Sequence, residues 1–225
     1  MSDTAKDESL GSTEQGKQDE KLRLGILLSG SGSNLQAIID AIDAGNLDAE
    51  VCVVISNKAD AYGLVRAQSA GIRTLSFDPK DFDSREAFDE AIREELQAQR
   101  VQWVAMAGYM RLLGAPVLDA YPNKVLNLHP SLLPSFVGAR AIDDALEAGV
   151  RITGITVHIA NEVFDEGPII AQRAVPVLQE DTRDSLAQRI HAEEHKLYPE
   201  VLQLIAEKRI VVKNSRAYIV EGRRK

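Results

Sequence analysis

Val125-Leu126-Asn127-Leu128-His129-Pro130-Ser131-Leu132-Leu133-Pro134 is the stretch on which the fold turns. It opens as a short apolar run, the pattern of a buried strand. It closes on two prolines, which cannot continue a strand ladder, so the second half is loop. Asn127 and His129 are two apart, and residues two apart in a strand share a face. An amide and an imidazole therefore emerge side by side where a strand stops. In an open α/β sheet the carboxyl ends of the strands are where ligands bind. Such a pair can hold an oxyanion and move a proton. A surface or hydrogen-bonded structural histidine would give the same spacing, so the rest of the chain has to decide.

Toward the N-terminus the pattern is strand, loop, helix, repeated. Leu22 to Leu28 is a first strand, followed by Ser29-Gly30-Ser31-Gly32-Ser33 and an amphipathic helix from Asn34 to about Ala44, with Leu35, Ile38, Ile39 and Ile42 at helical spacing. A Gly/Ser loop entering a helix can gather backbone amides around a phosphate. It can equally be a plain tight turn. The Gly-Lys-Ser/Thr ending of a P-loop is missing, and so is the third glycine of a dinucleotide fingerprint. A second strand, Val51 to Ser56, ends in Ser56-Asn57-Lys58 without the acid that a nicotinamide enzyme would use on the ribose. A helix near Tyr62–Ala70 and a short strand near Ile72–Ser76 follow. Asp83 and Glu86 suggest a capping box opening a helix that runs to about Gln99, with Arg85 in its first turn. Gln102 to Ala107 is a fourth strand. Gly108-Tyr109-Met110-Arg111-Leu112-Leu113 at its carboxyl end offers backbone and apolar side chains suited to a flat, partly polar ring. A helix near Ala115–Ala120 leads into the central stretch.

Beyond Pro134 a helix is expected over Gly138–Ala148. Two β-rich runs, Ile152 to Ala160 and Pro168 to Val175, flank the acidic turn Asn161-Glu162-Val163-Phe164-Asp165-Glu166-Gly167. Pairing them adds an antiparallel element to a parallel βα half, with Asp165 on the loop, where it is either a turn residue or a site carboxylate. A long helix from Thr182 to about Glu207 contains His191-Ala192-Glu193-Glu194-His195. This matches the inverted zinc-peptidase pattern. Only three positions are fixed and no third ligand is evident, so an exposed polar face bordering a substrate site is the expected role. A short β segment is expected from Ile210.

The 225 residues are 44% hydrophobic and 27% charged, enough for one sizeable core. A net charge of −8 argues against broad nucleic-acid or anionic-membrane binding but leaves room for a local basic pocket. The single cysteine, Cys52, excludes an internal disulfide and reads as a small buried hydrophobe. No apolar run is long enough to span a bilayer and no secretory h-region opens the chain, so a cytoplasmic location is expected. Residues 1–21 are polar and expected to be a disordered tail. One domain is expected over 22–212, with a phosphate-binding half to about 120 and a catalytic half from 121, then a tail over 213–225.

Taken together these segments resemble the folate-dependent glycinamide ribonucleotide formyltransferases. The resemblance runs from about Leu24 to Lys208. It is carried by Gly30 to Gln36, Ser56 to Ala61, Gly108 to Leu113, Asn127 to Pro134, Thr156-Val157-His158 and Asp165-Glu166-Gly167-Pro168-Ile169. It implies a Rossmann-like, mostly parallel α/β sheet with a C-terminal antiparallel addition. It also implies a catalytic set of Asn127, His129 and Asp165. Gly32, Ser33 and Asn34 match the loop for the substrate phosphate, and Glu194 a residue near the substrate ribose. Arg85, Met110, Arg111, Leu112 and Leu113 match folate-binding positions. Asn161 to Asp165 match the loop beside the pterin. Asn127 and Asp165 are placed against the folate as well. The formyl donor implied is 10-formyltetrahydrofolate, with no metal, no nucleic acid and no membrane partner. A monomer or a homodimer is expected. Ser135-Phe136-Val137-Gly138-Ala139-Arg140-Ala141 departs from the family, many members of which have proline at the Val137 position and a His-rich stretch afterwards. A formyl-folate hydrolase would carry an N-terminal regulatory domain, for which the short tail leaves no room. A transfer-RNA formyltransferase would add a C-terminal RNA-binding domain. A non-catalytic phosphate-binding module would not need Asn127, His129 and Asp165.

Overall fold

The computed structural model describes residues 21–222. All but one residue of the expected N-terminal tail, and the basic end Arg223-Arg224-Lys225, lie outside the described residues. Seven strands form one sheet in the order β3-β2-β1-β4-β5-β6-β7. They are β1 (Leu22–Leu28), β2 (Ala49–Ser56), β3 (Thr74–Ser76), β4 (Trp103–Met106), β5 (Val125–His129), β6 (Ile152–Ile159) and β7 (Ile169–Pro176). β1 through β5 run parallel, whereas β5–β6 and β6–β7 are antiparallel. This is the expected mostly parallel α/β sheet with an antiparallel addition.

The parallel strands are apolar on both faces because helices cover both sides. Leu24, Ile26 and Leu28 point to one side, where they pack with α1 (Ser33–Asp43) and α6 (Arg183–Ala206). Leu27, Val53 and Ile55 point to the other, against α3 (Arg85–Ala98) and α4 (Ala115–Ala120). Each fully buried Leu or Ile contributes about 1.5–3 kcal/mol over leaving it in water. α6 is capped by Thr182, in a reciprocal capping box with Ser185. Its Tyr198 is fully buried, and the hydroxyl donates to the Met106 carbonyl oxygen at 3.1 Å, which ties α6 to the end of β4. Among the described residues no helix is long and apolar enough to cross a membrane.

Several boundaries differ from the sequence reading. α2 spans Tyr62–Ser69, and β3 begins at Thr74 because only Thr74 to Ser76 pair with β2. Ser84, not Asp83, caps α3: the helix starts at Arg85, and the Ser84 hydroxyl accepts from the Ala87 amide. The helix expected from Gly138 is the shorter α5 (Ala141–Glu147). Gly138 has φ +90, a left-handed conformation that no right-handed helix contains. Cys52 is half-buried rather than buried. After β8 (Ile210–Lys213) the chain turns back as β9 (Arg216–Ile219), within the segment read as tail, and Val212 and Ala217 pack against the core.

The order of the strands fixes where a site can form. From β1 the chain goes to β2 on one side, and β4 lies on the other. The loops after β1 and β4 therefore part at the carboxyl edge, the crevice in which open sheets bind ligands. The Ser29 amide donates to the Gly108 carbonyl at 3.1 Å and the Met110 amide to the Ser29 hydroxyl at 2.9 Å, so the two loops are joined at that point.

Candidate active site

β5 presents Asn127 and His129 on one face, as the spacing predicts. β6 faces them in register: Asn127 pairs with His158 and His129 with Thr156. The loop between β6 and β7 brings Asp165 back over this pair. Its φ is +58, a left-handed conformation rare for a residue with a side chain. The Asp165 carboxylate then meets four groups. Oδ2 lies 3.3 Å from His129 Nδ1 and accepts from the Gly138 amide at 2.9 Å. Oδ1 lies 3.4 Å from Asn127 Nδ2 and 3.6 Å from His158 Nε2. Burial alone would raise the Asp165 carboxyl. His158, the Gly138 amide and His129 outweigh it and hold the group below its ordinary value.

His129 is 5% exposed, and its other nitrogen, Nε2, is 2.8 Å from the Phe136 carbonyl oxygen. Both ring nitrogens thus face acceptors, and only the doubly protonated ring donates to both. The loop that supplies Phe136 and Gly138 is pinned from below. The Thr156 hydroxyl donates to the Ser131 carbonyl at 2.7 Å and accepts from the Leu133 amide at 3.0 Å. Gln172 Nε2 donates to the Leu133 carbonyl at 2.9 Å.

His158 was legible only as part of a motif, without a role. It is buried, with Nδ1 3.1 Å from the Ile159 carbonyl and Nε2 3.0 Å from Asn127 Nδ2. A ring protonated on Nδ1 accepts the Asn127 amide at Nε2, whereas a ring protonated on Nε2 turns that N–H toward Asp165 Oδ1, 3.6 Å away. The signal was alternation: Thr156 and His158 are two apart on β6, as Asn127 and His129 are on β5.

A cleft opens beside Asn127 and Asp165. It is lined by Arg111, Leu112 and Leu113 from the β4 loop, by His158, and by Asn161, Val163 and Phe164 from the β6–β7 loop. Its lining is apolar with a polar end, which fits a flat heterocycle. Met110 is exposed and Arg85 instead reaches the loop backbone, donating to the Leu112 carbonyl at 2.9 Å, so neither lines the cleft.

The Gly/Ser loop ends at Gly32, φ +69, which precedes α1 with no side-chain cap and no acid in the first turn. That leaves the first helical amides free for an anion. A Cβ on Gly32 would fall 2.5 Å from the Gly63 Cα, so the loop is packed directly on the start of α2. Arg66, which the sequence reading missed, donates from Nε to the Ser31 carbonyl at 2.9 Å and brings a cation to this loop. Asn34 Nδ2 donates to Glu194 Oε2 at 3.0 Å. His191 Nδ1 reaches the same oxygen at 2.8 Å. Glu194 is buried, which corrects the expectation of an exposed polar face over His191 to His195. The hydrogen bond to Glu194, partly offset by burial, pushes the His191 imidazole up; burial pushes His195 down.

A carboxylate, an imidazole and an amide converge on one point, between an uncapped helix terminus and an apolar cleft, the arrangement of an α/β enzyme with room for two small ligands. The comparisons narrow this class. The chain belongs to the formyl transferase family, whose profile matches residues 22–202. The phosphoribosylglycinamide formyltransferase of Bacillus subtilis (strain 168) is 42% identical over 181 residues, covering 80% of this chain and 93% of that protein. The trifunctional purine biosynthetic protein adenosine-3 of Homo sapiens is 46% identical over 189 residues, 84% of this chain and 19% of its own length. The crystal structure of glycinamide ribonucleotide transformylase 1 from Symbiobacterium toebii aligns with a TM-score of 0.89 at 52% identity. It covers 91% of this chain and 96% of that one.

Proposed function

We propose that the protein transfers the formyl group of 10-formyltetrahydrofolate to the amine of glycinamide ribonucleotide. The products are formylglycinamide ribonucleotide and tetrahydrofolate, in de novo purine biosynthesis. The observation that carries this reading is that the Asp165 carboxylate lies within 3.4 Å of polar atoms of both Asn127 and His129, in a chain of this family. In the reaction the amine nitrogen bonds to the formyl carbon, and the bond from that carbon to the folate nitrogen breaks. Charge gathers on the formyl oxygen in between. Asn127 Nδ2 and His129 Nε2 would be the donors for that oxygen, the imidazole exchanging the Phe136 carbonyl for the substrate oxygen, and each well-placed donor contributes about 3–4 kcal/mol. Asp165, ionised and beside His129, takes up the proton that the amine must lose, and a proton is returned to the leaving folate nitrogen. The chemistry needs no covalent link to the protein and no metal.

The cleft walled by Leu112, Leu113, Val163 and Phe164 suits the flat folate ring, with Asn127 and Asp165 at its polar end. The uncapped start of α1 at Ser33 and Asn34, with Arg66 nearby, suits the ribonucleotide phosphate. Glu194, held by Asn34, suits the ribose hydroxyls. The test is formyl transfer from 10-formyltetrahydrofolate to glycinamide ribonucleotide in metal-free buffer, with His129→Ala in parallel. Turnover that is lost in the variant supports the assignment. Folate deformylation without any need for the amine would replace it with a hydrolase.

A further inference from the structure

We propose that Asp89 is a positioning residue for the folate cosubstrate: with Arg85 it fixes the loop Gly108 to Gly114 so that residues 111–113 face the cleft. This rests on the formyl-folate reading of that cleft. Asp89 lies on α3, is 2% exposed, and plays no part in the chemistry described above. Its Oδ2 accepts from the Gly114 amide at 2.9 Å and lies 3.7 Å from Arg85 Nε. Arg85 in turn donates to the Leu112 carbonyl at 2.9 Å. At the near end of the loop the Met110 amide donates to the Ser29 hydroxyl at 2.9 Å. Residues 110, 112 and 114 are thus each held by a backbone group, and the lining residues 111–113 fall between the outer two. The Arg111 guanidinium sits 5.1 Å from the centre of the Phe88 ring, next to Asp89 in sequence, so a side chain of the loop also leans on α3.

Gly114 gives independent support. Its backbone, φ −94 and ψ −179, is extended and open to any residue, so conformation does not require glycine there. Space does. A Cβ would fall 2.7 Å from Asp89 Oδ2, within the contact that the amide makes. The glycine lets the loop backbone reach a buried carboxylate. A lone carboxylate in a core is costly unless it is hydrogen-bonded and paired, and among the described residues the partners of Asp89 are this loop and Arg85.

The experiment compares Asp89→Ala, Asp89→Asn and Gly114→Ala with the unaltered protein. It measures tetrahydrofolate binding by calorimetry, KM for each substrate, and the thermal midpoint. Losing a hydrogen bond to a charged group is expected to weaken tetrahydrofolate binding in Asp89→Ala by about tenfold or more. KM for glycinamide ribonucleotide should stay within about twofold. Asp89→Asn keeps an oxygen for the Gly114 amide and should recover most of the affinity, whereas Gly114→Ala should weaken folate binding as Asp89→Ala does. Unchanged folate affinity in Asp89→Ala overturns the proposal. So does a parallel loss of both substrates that tracks the thermal midpoint. If Asp89→Ala does not fold, the Gly114→Ala result decides: folate-selective weakening supports the proposal, and wild-type affinity overturns it. An unaltered protein that neither binds tetrahydrofolate nor transfers formyl would instead remove the formyl-folate reading itself.

Discussion

Replacing Asp165 with asparagine removes one charge from the centre of the site and little else. The Asp165 carboxylate is 3.3 Å from His129 Nδ1, and at an effective dielectric constant of about 20 opposite unit charges at that distance attract by roughly 5 kcal/mol. Loss of a positioned general base lowers rates by about 10²–10⁴, or ~3–5 kcal/mol. The two figures describe overlapping effects, so kcat should fall about a thousandfold. Folding should change far less. The asparagine oxygen can still accept from the Gly138 amide, which donates at 2.9 Å in the unaltered protein. The acid side of the stability curve separates the two roles. The Asp165 carboxyl is held below its ordinary value of 3.8, so its ionisation stabilises the fold above about that pH. That contribution disappears as pH falls through the lowered folded value, and the stability gap between wild type and Asp165→Asn should narrow there. The assay is steady-state formation of tetrahydrofolate with the amine saturating, alongside urea unfolding at pH 7 and below pH 4. A variant that keeps kcat within about threefold of wild type would refute the reasoning, because the carboxylate would then be structural.

Three further outcomes follow from the same geometry. Gly32→Ala puts a Cβ 2.5 Å from the Gly63 Cα at φ +69, so it should cost about 1–3 kcal/mol of stability. It should also raise KM for the ribonucleotide while sparing folate affinity, checked by denaturant unfolding and kinetics. Glu194→Gln should drop the His191 imidazole back toward its ordinary 6.5, measured by NMR titration, because the hydrogen bond to Glu194 is the main cause of its rise. In the wild type that pair stabilises fully below about pH 6.5, and the contribution is lost as pH rises through the raised His191 value. His158→Ala takes away the acceptor 3.0 Å from Asn127 Nδ2 and should lower kcat about tenfold without changing either KM much, through a freely turning Asn127 amide.

The fold was legible where the pattern was one of burial. Val125, Leu126 and Leu128, like Leu24, Ile26, Leu27 and Leu28, put apolar side chains on both faces, as strands between two helical layers must. Asn127 and His129 were legible because strand alternation places them without knowledge of any partner. Boundaries failed where a single backbone angle or a distant contact decides. Gly138 leaves the helical region to give its amide to Asp165, 27 residues on, and no local signal announces that. His158 needed the β5–β6 register, and Glu194 needed Asn34, 160 residues away, to draw it out of the exposed face that its helical neighbours suggested. The local pattern read the scaffold; the long-range partners defined the protonation and orientation of the groups on it.

The switch in strand order explains why two binding functions can share one crevice. The loop after β1 ends in free amides beside Arg66, and the loop after β4 walls an apolar cleft. They part from one another at Ser29, whose hydroxyl donates to Asn57 Oδ1 at 2.5 Å while accepting the Met110 amide. On the proposed function, an anionic ligand and a flat ring would therefore be held on loops that are hydrogen-bonded together at their roots. β5 lies beside β4, its Asn127 lines the cleft, and His129 is joined to that end of it through Asp165. A bimolecular transfer gains most from fixed relative placement of its two reactants, since that placement removes translational and rotational freedom before the chemical step. On this argument the Ser29 hydroxyl matters for rate more than for affinity. Ser29→Ala should lower kcat for formyl transfer several-fold while each substrate, measured alone by calorimetry, binds nearly as before. Separate losses of affinity without a loss of kcat would show that the two loops work independently.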